Sequence, residues 1–166
     1  MAFDCYLKIP TIDGEATSEG FEKWIQCLSY SHGVNQHSGG SMSGAGGLSG
    51  GRAELQAFTF THHLDKSSPK IALSCCTGEH LKDVVVKLRR STGDGTPKVF
   101  MEFKMTEAII SSARVAGSSS GGEVLPLEEV SFSYGKIEWD YTEIDQAGKE
   151  KGHVKTGWDV AKNKKV

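Results

Sequence analysis

The segment VSFSYGKIEWDY, residues 130–141, alternates apolar and polar side chains and then changes face. Val130, Phe132 and Tyr134 share one side of an extended chain, whereas Ile137, Trp139 and Tyr141 share the other. Period-two alternation is the mark of a strand with one buried face. The change falls at Gly135–Lys136 and predicts a bulge there, so that one strand serves two sheets or turns a barrel corner. A chain organised around such a strand folds as layered or closed β structure, not as a helical bundle.

The rest of the chain agrees. FDCYLKI (3–9), WIQCLSYSH (24–32), ELQAFTFTHHL (54–64), DVVVKLRR (83–90) and GHVKTGWDV (152–160) read as strands. KVFMEFKMTEAIISSARVA (98–116) is long enough for two strands or one strongly bent strand. TGDGT (92–96) and GSSSGG (117–122) are turns. The exception is SSPKIALSCCTG (67–78), where Ser68 suits an N-cap, Pro69 the first helical position and Gly78 a left-handed C-terminus. Ile71, Ala72, Cys75 and Cys76 would share one face of this helix, which is too short to be stable without packing on the strands. The expected fold class is all-β: a small β-barrel of two sheets with one short α-helix packed against it, forming a single domain over 1–166.

Composition narrows the function classes. With 37% hydrophobic and 24% charged residues, the chain of 166 residues can bury a core of its own. A formal net charge of −2 gives no general attraction to nucleic acid or anionic lipid. The lysines at 162, 164 and 165 read as a frayed, solvated terminus. No stretch is apolar enough for a membrane-spanning helix, and Asp4 and Lys8 interrupt any signal-like run at the N-terminus. Cys5, Cys27, Cys75 and Cys76 lack CxxC spacing and read as reduced, partly buried thiols of a protein folded in the cytosol. The vicinal pair Cys75–Cys76 has no electropositive neighbour to activate it as a redox switch.

The glycine-rich stretch GGSMSGAGGLSGG (39–51) invites three readings. A phosphate loop fails, because Arg52 and Ala53 stand where lysine and a hydroxyl residue are needed, and a strand follows instead of a helix. An interdomain linker fails, because the residues before it hold too few strands to fold alone. An uncharged segment carrying Met42 and Leu48 suits an arm that orders against a neighbouring chain.

Motifs for chemistry are absent. His62 and His63 point to opposite faces of a strand, so Asp65 could join only one of them. His32 and His37 lie around a bend, and no histidine pair has helical ligand spacing, so the histidines are assigned structural or surface roles. The GxSxG spacing occurs at 47–51 and 117–121, but both lie in glycine-rich stretches with no helix following, so neither is the strand-to-helix elbow of a hydrolase. The pair Glu128–Glu129 reads as a solvated rim feature. No cofactor, metal or catalytic residue is expected.

Taken in order, AFDCYLKIPTIDGEA, HHLDKSSPKIALSCCTGEH and GHVKTGWDVAKNKKV resemble the haemolysin-coregulated protein (Hcp) family of bacterial type VI secretion systems. The Ser29-x-Ser31 strand end before the glycine stretch and the SSSGGE turn match as well. The resemblance covers essentially the whole chain; its ordered set of segments carries it, since no single motif is diagnostic. It implies a structural subunit of the inner tube, with six-subunit rings stacked inside a contractile sheath and capped by a spike protein. Small effectors would ride in the lumen. The implied partners are therefore copies of itself, the sheath, the spike and small effector proteins, with neither nucleic acid nor membrane insertion. The protein would be assembled in the cytoplasm and then secreted without a cleaved signal peptide.

The resemblance also implies roles for residues. The glycine-rich stretch, through Ser41, Met42 and Leu48, would reach an adjoining subunit. Ser31 would face the lumen and touch cargo, which calls for small polar surroundings. Stacking contacts would lie in rim turns, with Ser91, Gly93 and Asp94 in one and Lys162 in another. The chain closes just after its last strand at Val166, so a plain tube subunit is expected, not one carrying a C-terminal toxic domain. The reading set against it is a small β-barrel carbohydrate- or peptide-binding module, which would need clustered exposed aromatics; Trp24, Trp139 and Trp158 are spread along the sequence. A hydrolase using scattered Ser, His and Asp residues is a third, without a motif to support it.

Overall fold

The computed structural model describes residues 3–39, 49–122 and 124–166. Strand formation follows the alternating runs. A central path of antiparallel strands joins β2 (Ile25–Cys27), β1 (Phe3–Lys8), β7 (Leu81–Ser91), β8 (Pro97–Ala116) and β9 (Leu127–Ile144). Beyond β9 the sheet forks. The first part of β9 pairs with β6 (Phe58–His63), which pairs with β3 (Ser29–Ser31). Its second part pairs with β10 (Glu150–Asp159), which carries β11 (Lys164–Lys165).

Strands β2 and β3 lie at two ends of this path and are consecutive in the chain, separated only by Leu28. The expected barrel is therefore not closed by hydrogen bonds from strand to strand. It meets itself through the covalent chain at Leu28, whose N–H donates to Thr61 O at 2.8 Å. The run 24–32 is split there into two short strands. A second sheet has two strands, β4 (Val34–Gly39) and β5 (Ser49–Leu55), and forms a hairpin.

The core lies on the concave side of the large sheet. Leu7, Ile25, Phe58, Phe60, Val84, Val86, Met105, Val130, Phe132 and Ile137 are buried there. Tyr30 stacks on Phe58 with ring centroids 5.8 Å apart, and Phe60 stacks on Phe132 at 5.8 Å. Cys5 and Cys27, directly opposite each other across β1 and β2, belong to the same core.

The corner in β9 falls where the sequence places it but is built differently. The register between β8 and β9 runs unbroken through Lys136 and Tyr134. The deformation is on the partner strand, where Glu107 adopts φ 53° facing Gly135. A Cβ on Gly135 would lie 3.4 Å from Glu107 Cβ, so glycine permits the two backbones to bend together. The bulge itself sits on β8 between Ile110 and Ser112. Residues 98–116 are accordingly one bent strand.

Helix α1 (Ser68–Thr77) ends as expected, with Gly78 at φ 64°. Its start is shifted by one residue: Ser67 is the N-cap and Ser68 is already helical. Asp65 organises the entry instead, accepting the Ser67 N–H at 2.8 Å and the Ser67 hydroxyl. The buried face is Ser68, Ile71 and Ser74, while Ala72 and Cys76 are exposed. Hydroxyl residues thus take inward positions that an apolar pattern does not mark.

Two further expectations are corrected. The C-terminal lysines are not frayed: Lys164 and Lys165 pair with Asp159 and Trp158. Their backbones complete the sheet whatever their side chains do. Glu128 is not a solvated rim residue: it lies in the core beside His62, while Glu129 faces outward.

Candidate assembly surfaces

Three surfaces stand out against this core. The first is the outer face of β3, β6 and β9. Ser29 and Ser31 point outward because Tyr30 between them points into the core. By the same alternation Thr59 and Thr61 face out between Phe58, Phe60 and His62, and Ser131 between Val130 and Phe132. Ser31, Thr59 and Ser131 occupy one rung across the three strands. The hydroxyls bond to one another: Ser29 Oγ lies 2.6 Å from Thr61 Oγ1, and Thr59 Oγ1 lies 2.8 Å from Ser131 Oγ. Ser111 adds a hydroxyl from β8, donating to Ser131 O at 3.1 Å. The result is a hydroxyl ladder on an aromatic backing, bordered along the Thr61 rung by the exposed Glu129 and Arg114. The ladder hydroxyls donate and accept in turn, and hold a passing polar surface without a strong ionic bond. Sequence reasoning singled out Ser31 alone; the ladder needed the strand register.

The second surface is the β4–β5 hairpin. Its strands are polar (VNQHSG and SGGRAEL), so their alternation does not announce a strand, and β4 escapes a reading of the sequence. The run 54–64 is likewise divided, with Leu55 in the hairpin and Phe58 starting the core strand β6. The hairpin projects from its root. Gln56 N–H donates to Gly33 O at 2.9 Å, and the Tyr134 hydroxyl donates to Gln56 O at 2.8 Å. Arg52 reaches back to Val160 O at 2.5 Å. Farther out, His37 Nε2 lies 2.8 Å from Glu54 Oε2. Val34 is 51% exposed. Ser41, Met42 and Leu48, expected to contact an adjoining subunit, lie outside the described residues.

At the hairpin root Val34 and Leu55 face Trp139 and Trp158 across a groove of about 370 Å³. Two of the three tryptophans thus line one groove, brought together by the pairing of β9 with β10. Trp158 Nε1 is buried there without a hydrogen-bond partner among the described residues. His32, one residue past Ser31, packs among Phe58, Phe103, Tyr134 and Trp139. Burial there pulls its imidazole below the ordinary histidine range. Burial likewise pushes the Tyr134 phenol up.

The third surface comprises the two ends of the β10 edge. Ser91, Gly93 and Asp94 share the β7–β8 turn, which is locked to the β9–β10 turn by Gly93 N–H donating to Gln146 O at 3.1 Å. The Thr92 hydroxyl, and then the Thr96 N–H, hold the Asp94 carboxyl below its usual range. Lys162 is not in this neighbourhood. It follows β10 at the opposite end, beside the corner at Gly135, where its N–H donates to Asp159 Oδ1 at 2.8 Å. The expected contact set therefore divides between two faces, one displaying Asp94 and the other Lys162. Among the described residues no group of three or more His, Cys, Asp or Glu side chains is placed to hold a metal ion.

Comparison with known proteins gives a consistent answer. Residues 6–141 match the family described as type VI secretion system effector, Hcp. Protein hcp1 of Pseudomonas aeruginosa is 30% identical over 164 residues, covering 98% of each chain. Among solved structures, a type six secretion system protein superposes with a TM-score of 0.91 at 31% identity, covering 99% of this chain and all of that one. Hcp1 from Salmonella typhimurium gives a TM-score of 0.80 at 26% identity over the full length of both chains.

Proposed function

The chain belongs to the Hcp family of type VI secretion proteins, and from that premise we propose that it is a structural subunit of the secretion tube. In this reading it forms six-membered rings that stack and carry small effectors through their lumen. The observation that carries the reading is the β4–β5 hairpin. A two-stranded ribbon alone is marginally stable in water. This one forms a separate sheet that rests on the large sheet through Leu55 at its root and through Arg52, and it exposes Val34. Such an arm is explained if a neighbouring subunit supplies the contacts that its own core does not. A head-to-tail contact repeated by rotation closes into a ring.

The other surfaces acquire roles on the same reading. The hydroxyl ladder around Ser31 lines the lumen, where small uncharged groups hold cargo without trapping it. Stacking joins unlike faces of successive rings, so the Asp94 turn of one ring meets the Lys162 end of the next. Met42 and Leu48, with Ser41, are the arm residues proposed to touch the neighbour. The sheath outside the tube and the spike at its tip are the further partners, and export proceeds without a cleaved signal peptide.

Light scattering with negative-stain imaging of the same fraction tests the proposal. It expects six times the chain mass and rings with a central hole. A monomer at every concentration, with or without the spike protein, would overturn it. A second reading, a carbohydrate- or peptide-binding module, is favoured by the groove between Trp139 and Trp158. That reading expects a monomer or dimer whose tryptophan fluorescence shifts saturably with ligand.

A further inference from the structure

We propose that Cys5 and Cys27 form a thiol–disulfide exchange site that staples the short end strand β2 to β1, beside the seam at which the sheet meets itself. The two residues are direct cross-strand partners in the antiparallel pair β1–β2. Both side chains are buried in the core, so they point to the same side of that pair. Direct partners in an antiparallel ladder have Cα atoms about 4.5–5.5 Å apart. That spacing lies within the range of about 4.4–6.8 Å which a disulfide spans without backbone movement. The sequence alone showed neither fact, because 21 residues separate the two cysteines and no CxxC marks them.

The position gives the bond a consequence. Strand β2 has three residues, and on its far side the chain crosses at Leu28 to β3 and the other end of the sheet. Joining Cys27 to Cys5 would tie this short end strand covalently to β1, immediately beside the crossing at Leu28. In the reduced protein the Cys27 thiol, which donates to Ile25 O at 3.8 Å, is pushed well up, first by the adjoining Cys5 thiol and then by burial. The dithiol is therefore inert until β2 opens, and exchange is slow and limited by that opening.

The chemistry balances with a low-molecular-weight disulfide as oxidant. The Cys27 thiolate attacks one sulfur of that disulfide and releases a thiolate, leaving a mixed disulfide. The Cys5 thiolate then attacks the Cys27 sulfur and releases the second external thiolate. Two cysteine thiols and one external disulfide become one protein disulfide and two external thiols. The site stands on the cross-strand pair alone. Only its timing, reduced in the cytosol and oxidised after export, rests on the secretion reading.

The test uses the full chain carrying C75S and C76S, incubated in oxidised glutathione and analysed by mass spectrometry without reductant. The folded protein is expected to lose about 2 Da. Peptide mapping should join Cys5 to Cys27, and dithiothreitol should restore the mass. Adding C5S or C27S should abolish the loss. The oxidised form should melt about 5–10 °C above the reduced form. An unchanged mass in the folded chain, while the urea-unfolded chain oxidises in the same buffer, would overturn the proposal. A chain that forms no rings yet loses the 2 Da would overturn the tube reading and leave this site standing.

Discussion

Two histidine–glutamate pairs bridge neighbouring strands at the same 2.8 Å, in opposite surroundings. His62 and Glu128 join β6 to β9, and each side chain is 1% exposed. His37 and Glu54 join β4 to β5, with side chains 75% and 62% exposed. The first pair is enclosed by the core and has no water to replace a lost partner. The second has water on most sides and stabilises its hairpin little. One chemical contact therefore belongs to two energetic classes. The contrast repeats that between the regions: a large sheet that supplies its own core, and an arm that does not.

The largest expected effect is on the buried pair. Glu128→Ala should destabilise the fold by about 1–3 kcal/mol, read as a lower urea midpoint, because it leaves His62 buried without its hydrogen-bond partner. The double variant His62→Leu/Glu128→Leu should recover most of that loss, ending within about 1 kcal/mol of the parent. If the double variant is as unstable as Glu128→Ala, the pair matters for its shape and not for its hydrogen bond.

A pH effect of intermediate size belongs to His32. Its folded-state pKa is depressed by burial, so below about pH 6.5 the unfolded chain takes up the proton first. Stability should therefore fall as pH drops below that value. His32→Phe should flatten this slope in urea titrations at a series of pH values; an unchanged slope would assign it to other groups.

The smallest stability effects are expected on the exposed features. Glu54→Ala should change the unfolding free energy, measured in urea, by less than about 0.5 kcal/mol. Ser31→Asp, on the solvent face of β3, should be equally silent in stability. If the ladder faces cargo, it should alter effector co-purification while leaving ring mass unchanged.

Much of this division was legible in the sequence. Strands with an apolar parity were found, and the turn to helix was marked by Pro69 and Gly78. The corner at Gly135 was located, because two alternating patterns meet there. Its mechanism was not, since the left-handed residue is Glu107 on the partner strand, and pairing between distant segments has no local signature. Glu128 was misread although a signal existed: it shares parity with the core residues Val130 and Phe132. The hairpin strand β4 and the terminal strand β11 had no apolar pattern to declare them, because backbone pairing holds both. The hydroxyl ladder and the Cys5–Cys27 pair required cross-strand register, which a single sequence does not contain.

The central claim is that the arm draws its stability from another chain while the sheet does not. Hydrogen–deuterium exchange across a concentration series tests it directly, following peptides from 33–39 and 49–56 against peptides from β6 and β9. The account predicts that the sheet is protected at every concentration, and that arm amides exchange fast in the monomer and become protected in the ring fraction. Arm protection that is equal in monomer and ring would contradict it.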